Sequence, residues 1–88
     1  MKAIVSVLGL DQKGIIAKVS ACLYSLNVNI LNISQTILED KFTMIMIVDI
    51  TDNPDISAIG NKLDELAKEI KVEIRIQRED IFYSMHQI

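Results

Sequence analysis

The residues best suited to bind a ligand lie in one short turn, residues 9–15, between a predicted strand and a predicted helix. A helix N-terminus offers free backbone N–H groups and partial positive charge, so it can receive a carboxylate or another anion. Gly14 would let a ligand approach the backbone closely. Asp11 either holds a ligand ammonium group or caps the helix. The turn therefore suits a zwitterion such as an amino acid. The residue types alone nevertheless favour a simple structural turn, in which Asp11 is the cap and the glycines only shape the chain.

The other chemically active side chains favour neither a catalytic site nor a metal site. Cys22 lies close to the apolar stripe of a predicted helix, where a small buried hydrophobe is a better interpretation than a nucleophile. His86 is the only histidine and has no suitably spaced partner for a metal, which favours a surface or interface position. The spacing of Gly9 and Gly14 lacks the Lys-Ser or Lys-Thr of a phosphate-binding loop. We therefore expect no enzyme, no metal and no cofactor.

Six predicted elements position this turn, and the spacing of apolar residues defines them. The strands cover residues 2–8, 28–38, 42–51 and 71–78, and the helices cover residues 15–26 and 56–70. Asn27 is a suitable stop for the first helix, because asparagine tolerates the left-handed conformation. Residues 51–54 signal the start of the second helix, with a capping side chain just before Pro54. A short C-terminal helix beginning near Asp80 completes the prediction.

This order predicts an α+β ferredoxin-like βαββαβ fold with a four-stranded antiparallel sheet and two helices on one face. The first and third strands are the most apolar, so we expect them in the centre of the sheet. At 88 residues the chain forms a single domain, residues 1–88. Two helices cover only one sheet face, and half of the residues are hydrophobic, so we expect a second copy on the other face. Met46 is expected to lie on that surface, as part of a homodimer.

Composition and charge exclude several classes of partner. The formal net charge is −3 and the nine basic residues are scattered, which argues against nucleic acid. No apolar run approaches the length of a membrane span, and the first residues do not resemble a signal peptide. A lone cysteine excludes an internal disulfide. We therefore expect a cytoplasmic protein with no nucleic-acid or membrane partner.

Residues 7–17, VLGLDQKGIIA, followed by residues 26–30, LNVNI, resemble the signature of the ACT domain family. That signature runs strand, Gly-x-Asp-x-x-Gly-Ile, helix, and then Asn-Ile opening the next strand. Many ACT domains have Arg-Pro where this chain has Gln12 and Lys13, which leaves both glycines and the acid in place. The whole chain is similar to small stand-alone ACT proteins, such as the uncharacterised bacterial and archaeal ones and the glycine-cleavage-repressor group.

The resemblance implies a regulatory module that binds an amino acid or a related small ligand. ACT domains usually pair side by side or back to back, with ligands at the interface near the first loop. Carried over by position, the ligand-binding residues are expected to be Gly9, Leu10, Asp11, Gln12, Lys13, Gly14, Ile15, Asn29 and Ile30. A ligand-free module for dimerisation or for a protein partner remains an alternative. A small acylphosphatase-like enzyme is less favoured, because the first loop carries no arginine.

Overall fold

The structure is a computed structural model that describes residues 1–80. Its elements are β1 (Lys2–Leu10), α1 (Ile15–Ser25), β2 (Asn29–Leu38), β3 (Lys41–Asp49), α2 (Ile56–Ile70) and β4 (Glu73–Arg78). This order confirms the predicted βαββαβ arrangement. The predicted C-terminal helix and His86 lie outside the described residues.

The four strands form one antiparallel sheet in the order β2-β3-β1-β4. The first and third strands are therefore central, as their apolar runs predict. β1 pairs with β3 from Lys2 opposite Asp49 to Leu10 opposite Lys41. The pairing of β2 with β3 shifts register at Leu31, a bulge that changes which side chains of β2 share a face.

The helix ends follow local chemistry, with one correction to the predicted cap. Asn27 adopts φ 60°, the left-handed conformation expected of a residue that ends a helix. The N-terminus of α2 is capped by Asp55, whose Oδ1 accepts a hydrogen bond from the Ala58 N–H at 3.1 Å. The predicted cap before Pro54 is wrong, because Asn53 instead donates its side-chain amide to the Leu26 carbonyl oxygen at 2.9 Å.

The core lies between the sheet and the two helices, and among residues 1–80 its buried side chains are all apolar. β1 contributes Ala3, Val5 and Val7, and β3 contributes Phe42, Met44, Met46 and Val48. The expectation that Met46 lies on the other sheet face is wrong. Met46 has no exposed surface and packs in the core, whereas Ile45, its neighbour in sequence, is 38% exposed on the opposite face. The alternation of a strand separates the two residues.

The two edge strands differ in length, charge and exposure. β2 has ten residues, carries no charged side chain, and is exposed at every position except Ile30. It displays large apolar side chains, including Ile33 at 40% and Ile37 at 52% exposure. β4 has six residues and carries Glu73, Arg75 and Arg78. Charges on an edge discourage pairing with other chains, so β4 is protected and β2 is not.

Neither helix described in residues 1–80 combines the length and the apolar character needed to cross a membrane.

Candidate ligand-binding site

The first loop, residues 11–14, joins β1 to α1 and is shorter than the sequence suggests. Gly9 and Leu10 belong to β1, where they pair with Phe42 and Lys41 of β3. The prediction that Gly9 begins the turn is therefore wrong. Gly9 has another role: a Cβ placed there would lie 2.7 Å from Cγ1 of Val72, so only glycine lets β1 pass this side chain.

The N-terminus of α1 is open to a ligand. Gly14 occupies the N-cap position with φ 84°, and no side chain of the described residues caps the helix there. The structure therefore contradicts the alternative that Asp11 acts as the cap. The first N–H groups of an α-helix have no partner within the helix, so those of α1 are available as donors to an anion.

Two hydrogen bonds hold the first loop in place. The backbone N–H of Asp11 donates to the carbonyl oxygen of Asp40 at 2.7 Å, which ties the loop to the β2–β3 hairpin. The side-chain amide of Gln12 donates to the carbonyl oxygen of Ile70 at 2.7 Å, which ties it to the end of α2. The loop is thus fixed on both sides, while the side chain of Asp11 remains exposed.

A cleft of about 200 Å³ lies between the first loop and strands β2 and β3. It is lined by Asp11, Gln12, Gly14, Ile15, Ile16, Ala17, Gln35, Ile37 and Phe42. Four of the expected site residues are thus brought together: Asp11, Gln12, Gly14 and Ile15. The cleft, called here the first-loop cleft, combines a carboxylate, helix N–H donors and an apolar wall. A larger cleft of about 520 Å³ between α2 and β4 is lined by charged and apolar side chains but contains no helix N-terminus.

Sequence reasoning missed the far wall of the first-loop cleft. Gln35 and Ile37 belong to β2, and Phe42 belongs to β3. Alternation in the sequence groups Ile37 with Ile33 on one face of β2. Only the pairing of Ile37 with the core residue Phe42 shows that this is the helix side of the sheet. Its position opposite the first loop depends on the pairing of Ile37 with Phe42 and of Phe42 with Gly9. That register could not be read from a single strand.

The remaining expected site residues do not line this cleft. Gly9 and Leu10 lie in β1, and Lys13 is exposed in the loop beside the cleft. Asn29 pairs with Asp49, at the opposite end of β3 from Phe42. Seven strand residues at ~3.3 Å each place Asn29 roughly 23 Å from the cleft. Within one chain, therefore, Asn29 and Ile30 do not reach the first loop.

The end of the sheet at Asn29 has its own polar groups. The hydroxyl and the backbone N–H of Thr51 donate to Asp49, and they hold the pKa of that carboxyl below its ordinary value. Asp49 is therefore a charged, hydrogen-bonded side chain beside the start of β2.

Cys22 and the acidic residues provide no second site. Burial raises the pKa of the Cys22 thiol, which favours the neutral form that is a poor nucleophile. Within residues 1–80, no three side chains of His, Cys, Asp or Glu are grouped so that they could hold a metal ion. The first-loop cleft is therefore the candidate site.

Known proteins share this fold. A family model described as the ACT domain matches residues 2–77. The UPF0237 protein of Clostridium perfringens is 48% identical over 100% of both chains. Among solved structures, the ACT domain protein from Streptococcus pneumoniae is 39% identical and superposes with a TM-score of 0.84, covering 93% of each chain. The regulatory subunit of aspartate kinase from Thermus thermophilus shares the fold, with a TM-score of 0.71, 23% identity, and coverage of 89% of this chain and 51% of that one.

The chain therefore belongs to the ACT domain family and, by its full-length relatives, to the UPF0237 proteins. The ACT domain is a regulatory, ligand-binding fold, and this chain has its βαββαβ order of four strands and two helices.

Proposed function

We propose that this protein is a regulatory module that binds a small amino acid in the first-loop cleft and acts as a homodimer. The observation that carries the proposal is the uncapped N-terminus of α1 beside the exposed carboxylate of Asp11. A zwitterion needs both groups close together, and the ACT family supplies the precedent of a regulatory ligand. The fold shared with the aspartate kinase regulatory subunit agrees with this assignment.

Each part of an amino acid has a complementary group in the first-loop cleft. The ligand carboxylate would accept hydrogen bonds from the first N–H groups of α1, near Gly14 and Ile15. The ligand ammonium group would lie against Asp11. The ligand side chain would contact Ile37 and Phe42, which form the apolar wall. The cleft volume of about 200 Å³ is below the ~300 Å³ at which ordinary ligand pockets begin, and this favours a small amino acid.

The exposed edge of β2 is the surface that we propose for the homodimer. Ten uncharged residues with unpaired backbone groups form a template for another strand. A second β2, related by a two-fold axis, would pair antiparallel and extend the sheet to eight strands. The apolar side chains of Ile33 and Ile37 would then lose exposed surface. The charged β4 edge offers no such surface.

This pairing would also explain the site residues that one chain keeps apart. In an antiparallel β2 pair, the start of one strand lies beside the end of the other. Asn29 and Ile30 of the partner subunit would then approach Gln35 and Ile37 at the open side of the first-loop cleft. We therefore propose a site in which the first loop comes from one subunit and the start of β2 from the other.

Amino acids should raise the melting temperature of the protein. A ligand at one hundred times its Kd adds about 2.7 kcal/mol, which corresponds to about 10 °C or more for a domain of this size. We expect one or a few small amino acids to produce such a shift in a thermal-shift screen of the twenty standard ones. Asp11→Ala should abolish the shift, because the ammonium group loses its partner. Asp64→Ala, which removes an exposed carboxylate on α2, should keep it. A flat screen, in which no amino acid raises the melting temperature, would contradict the amino-acid proposal.

The dimer surface can be tested by adding a charge to each of two faces. Ile33→Lys places a lysine on the β2 edge, and two such residues near the two-fold axis repel each other. We expect this variant to be monomeric by light scattering, while the wild type is a dimer at the same concentration. Ile45→Lys adds the same charge to the sheet face opposite the helices and should remain dimeric. A monomeric Ile45→Lys with a dimeric Ile33→Lys would assign the interface to that face instead.

A ligand-free interaction module is the second candidate, and the exposed β2 edge supports it as well. The two candidates share the dimer and differ only in the first-loop cleft. A dimer that Ile33→Lys dissociates, together with a flat amino-acid screen, would favour this second candidate. We propose no catalytic activity; turnover of an acyl phosphate by the purified protein would contradict that view.

A further inference from the structure

The side chain of Gln12 connects the first loop to a distant part of the chain. Its Nε2 donates to the carbonyl oxygen of Ile70 at 2.7 Å, in a partly buried position. Ile70 is the last residue of α2. Carbonyl groups in the last turn of a helix have no partner within the helix. Gln12 therefore satisfies an acceptor that α2 cannot satisfy itself.

Two further contacts tighten the same junction. The approach of Gly9 to Val72 brings the end of β1 against the residue that precedes β4. The backbone N–H of Val72 donates to the carbonyl oxygen of Ala67 at 3.0 Å, which fixes the connection to the last turn of α2. We name residues 70–72, from the last residue of α2 to the residue before β4, the α2–β4 junction. Movement of the first loop away from it must break the Gln12 hydrogen bond.

The first loop depends on this side chain for its position on the α2 side. The loop contains no proline, so no ring restricts its backbone. The Asp11 N–H anchors the loop to the hairpin on its other side. Gln12 also lines the first-loop cleft. The residue that lines the candidate site is thus also bonded, through its side chain, to the end of α2.

We propose that Gln12 is a positioning residue that couples the first-loop cleft to the α2–β4 junction. A group in the cleft that draws the Gln12 amide toward itself frees the Ile70 carbonyl, and loosening the junction releases the loop in turn. The role of Gln12 toward a ligand rests on the function proposed above. The coupling between loop and junction needs no ligand.

Amide hydrogen exchange, measured by NMR on the full 88-residue chain at neutral pH, tests this coupling. Gln12→Ala removes the donor, and Gln12→Glu places a carboxylate against the Ile70 carbonyl oxygen. In both variants we expect exchange to become about fivefold faster at two separate places, the first loop and the amides of Lys71 and Val72. Exchange in the central strands should be unchanged.

The Gln12→Glu variant provides a readout that a loss of packing would not change. Its protonated carboxyl can again donate to the Ile70 carbonyl oxygen. A free glutamate has a pKa of about 4.3, and a facing carbonyl in a partly buried position raises it. As the pH falls through this raised pKa, the ratio of the exchange rate in the variant to that in the wild type, both measured at the same pH, should return toward one. Gln12→Ala should show no such recovery.

Asn53→Asp is the matched control, because Asn53 also donates a side-chain amide to a carbonyl at a helix end, that of Leu26. It should leave exchange in the first loop unchanged. Unchanged loop exchange in both Gln12 variants would overturn the positioning role. Faster exchange in the loop alone, without Lys71 and Val72, would overturn the coupling. A flat amino-acid screen would contradict the proposed function and leave these exchange results to decide the role of Gln12.

Discussion

Gly9→Ala should lower the free energy of unfolding by about 1–3 kcal/mol, although it adds only one methyl group. The new Cβ would lie 2.7 Å from Cγ1 and 3.3 Å from Cα of Val72, closer than packed carbon atoms allow. Val72 is β-branched and lies two residues after the end of α2, with its backbone N–H bonded to the Ala67 carbonyl oxygen, so it cannot rotate away freely. Urea unfolding of the variant and the wild type measures the difference.

Gly60→Ala is the control with the opposite expected sign. Gly60 lies inside α2, and a Cβ there would lie 3.6 Å from Cγ2 of Ile76, an ordinary contact distance. Alanine in a helix interior is favoured over glycine by about 0.5–1 kcal/mol. We therefore expect this variant to be more stable than the wild type. A Gly9→Ala variant as stable as the wild type would show that β1 and Val72 do not approach as closely as described.

Met46→Lys should leave the chain unfolded. Met46 has no exposed surface, so the ammonium group would have neither water nor a partner in an all-apolar core. Such a substitution costs more than about 4 kcal/mol, against a total stability of about 5–15 kcal/mol for a native domain. Far-ultraviolet circular dichroism and the loss of a cooperative thermal transition would report this.

Ile45→Lys is the matched comparison one residue away. Ile45 is 38% exposed on the other sheet face, where a lysine can extend into water. Its cost should be about 1 kcal/mol or less, and the variant should unfold cooperatively. A folded Met46→Lys together with an unfolded Ile45→Lys would reverse the assignment of the two faces of β3.

The element order and the central strands could be predicted from the sequence alone, because both depend on local patterns. Met44, Met46 and Val48 alternate with less buried residues, and alternation of this kind identifies a strand with one core face. The pattern does not say which face the helices cover. Both faces of β3 are apolar, so the sequence could not decide that Met46 rather than Ile45 lies in the core.

Features that depend on contacts between residues far apart in the chain could not be predicted from the sequence. Gly9 looks like a turn residue until Val72, remote in sequence, is placed beside it. Asp55 and Asn53 are both capable caps, and the choice between them follows from the bond of Asn53 to Leu26.

The sequence could predict one side of the candidate site, the first loop, but not the far wall of the first-loop cleft. Asp11 and Gly14 share the first loop and could be grouped by proximity in the sequence. Gln35 and Ile37 reach the same cleft only through the register of two strand pairs. Asn29 was grouped with the loop through family resemblance. Within one chain Asn29 is too far from the first loop to share a site with it, so the two can meet only in the proposed dimer.

The central position of β1 has a consequence for synthesis on the ribosome. β1 is made before the other elements described, yet its neighbours in the sheet are β3 and β4, and β4 ends at Arg78. Until both have been made, the N-terminal strand lacks a partner on one or both edges and depends on long chain closures to find them. The first-loop cleft needs β3 for its wall, and the anchor of Gln12 needs the end of α2. A nascent chain that stops after β3 would therefore have the residues of the wall without the anchored loop, so the proposed ligand could bind only after α2 has been made.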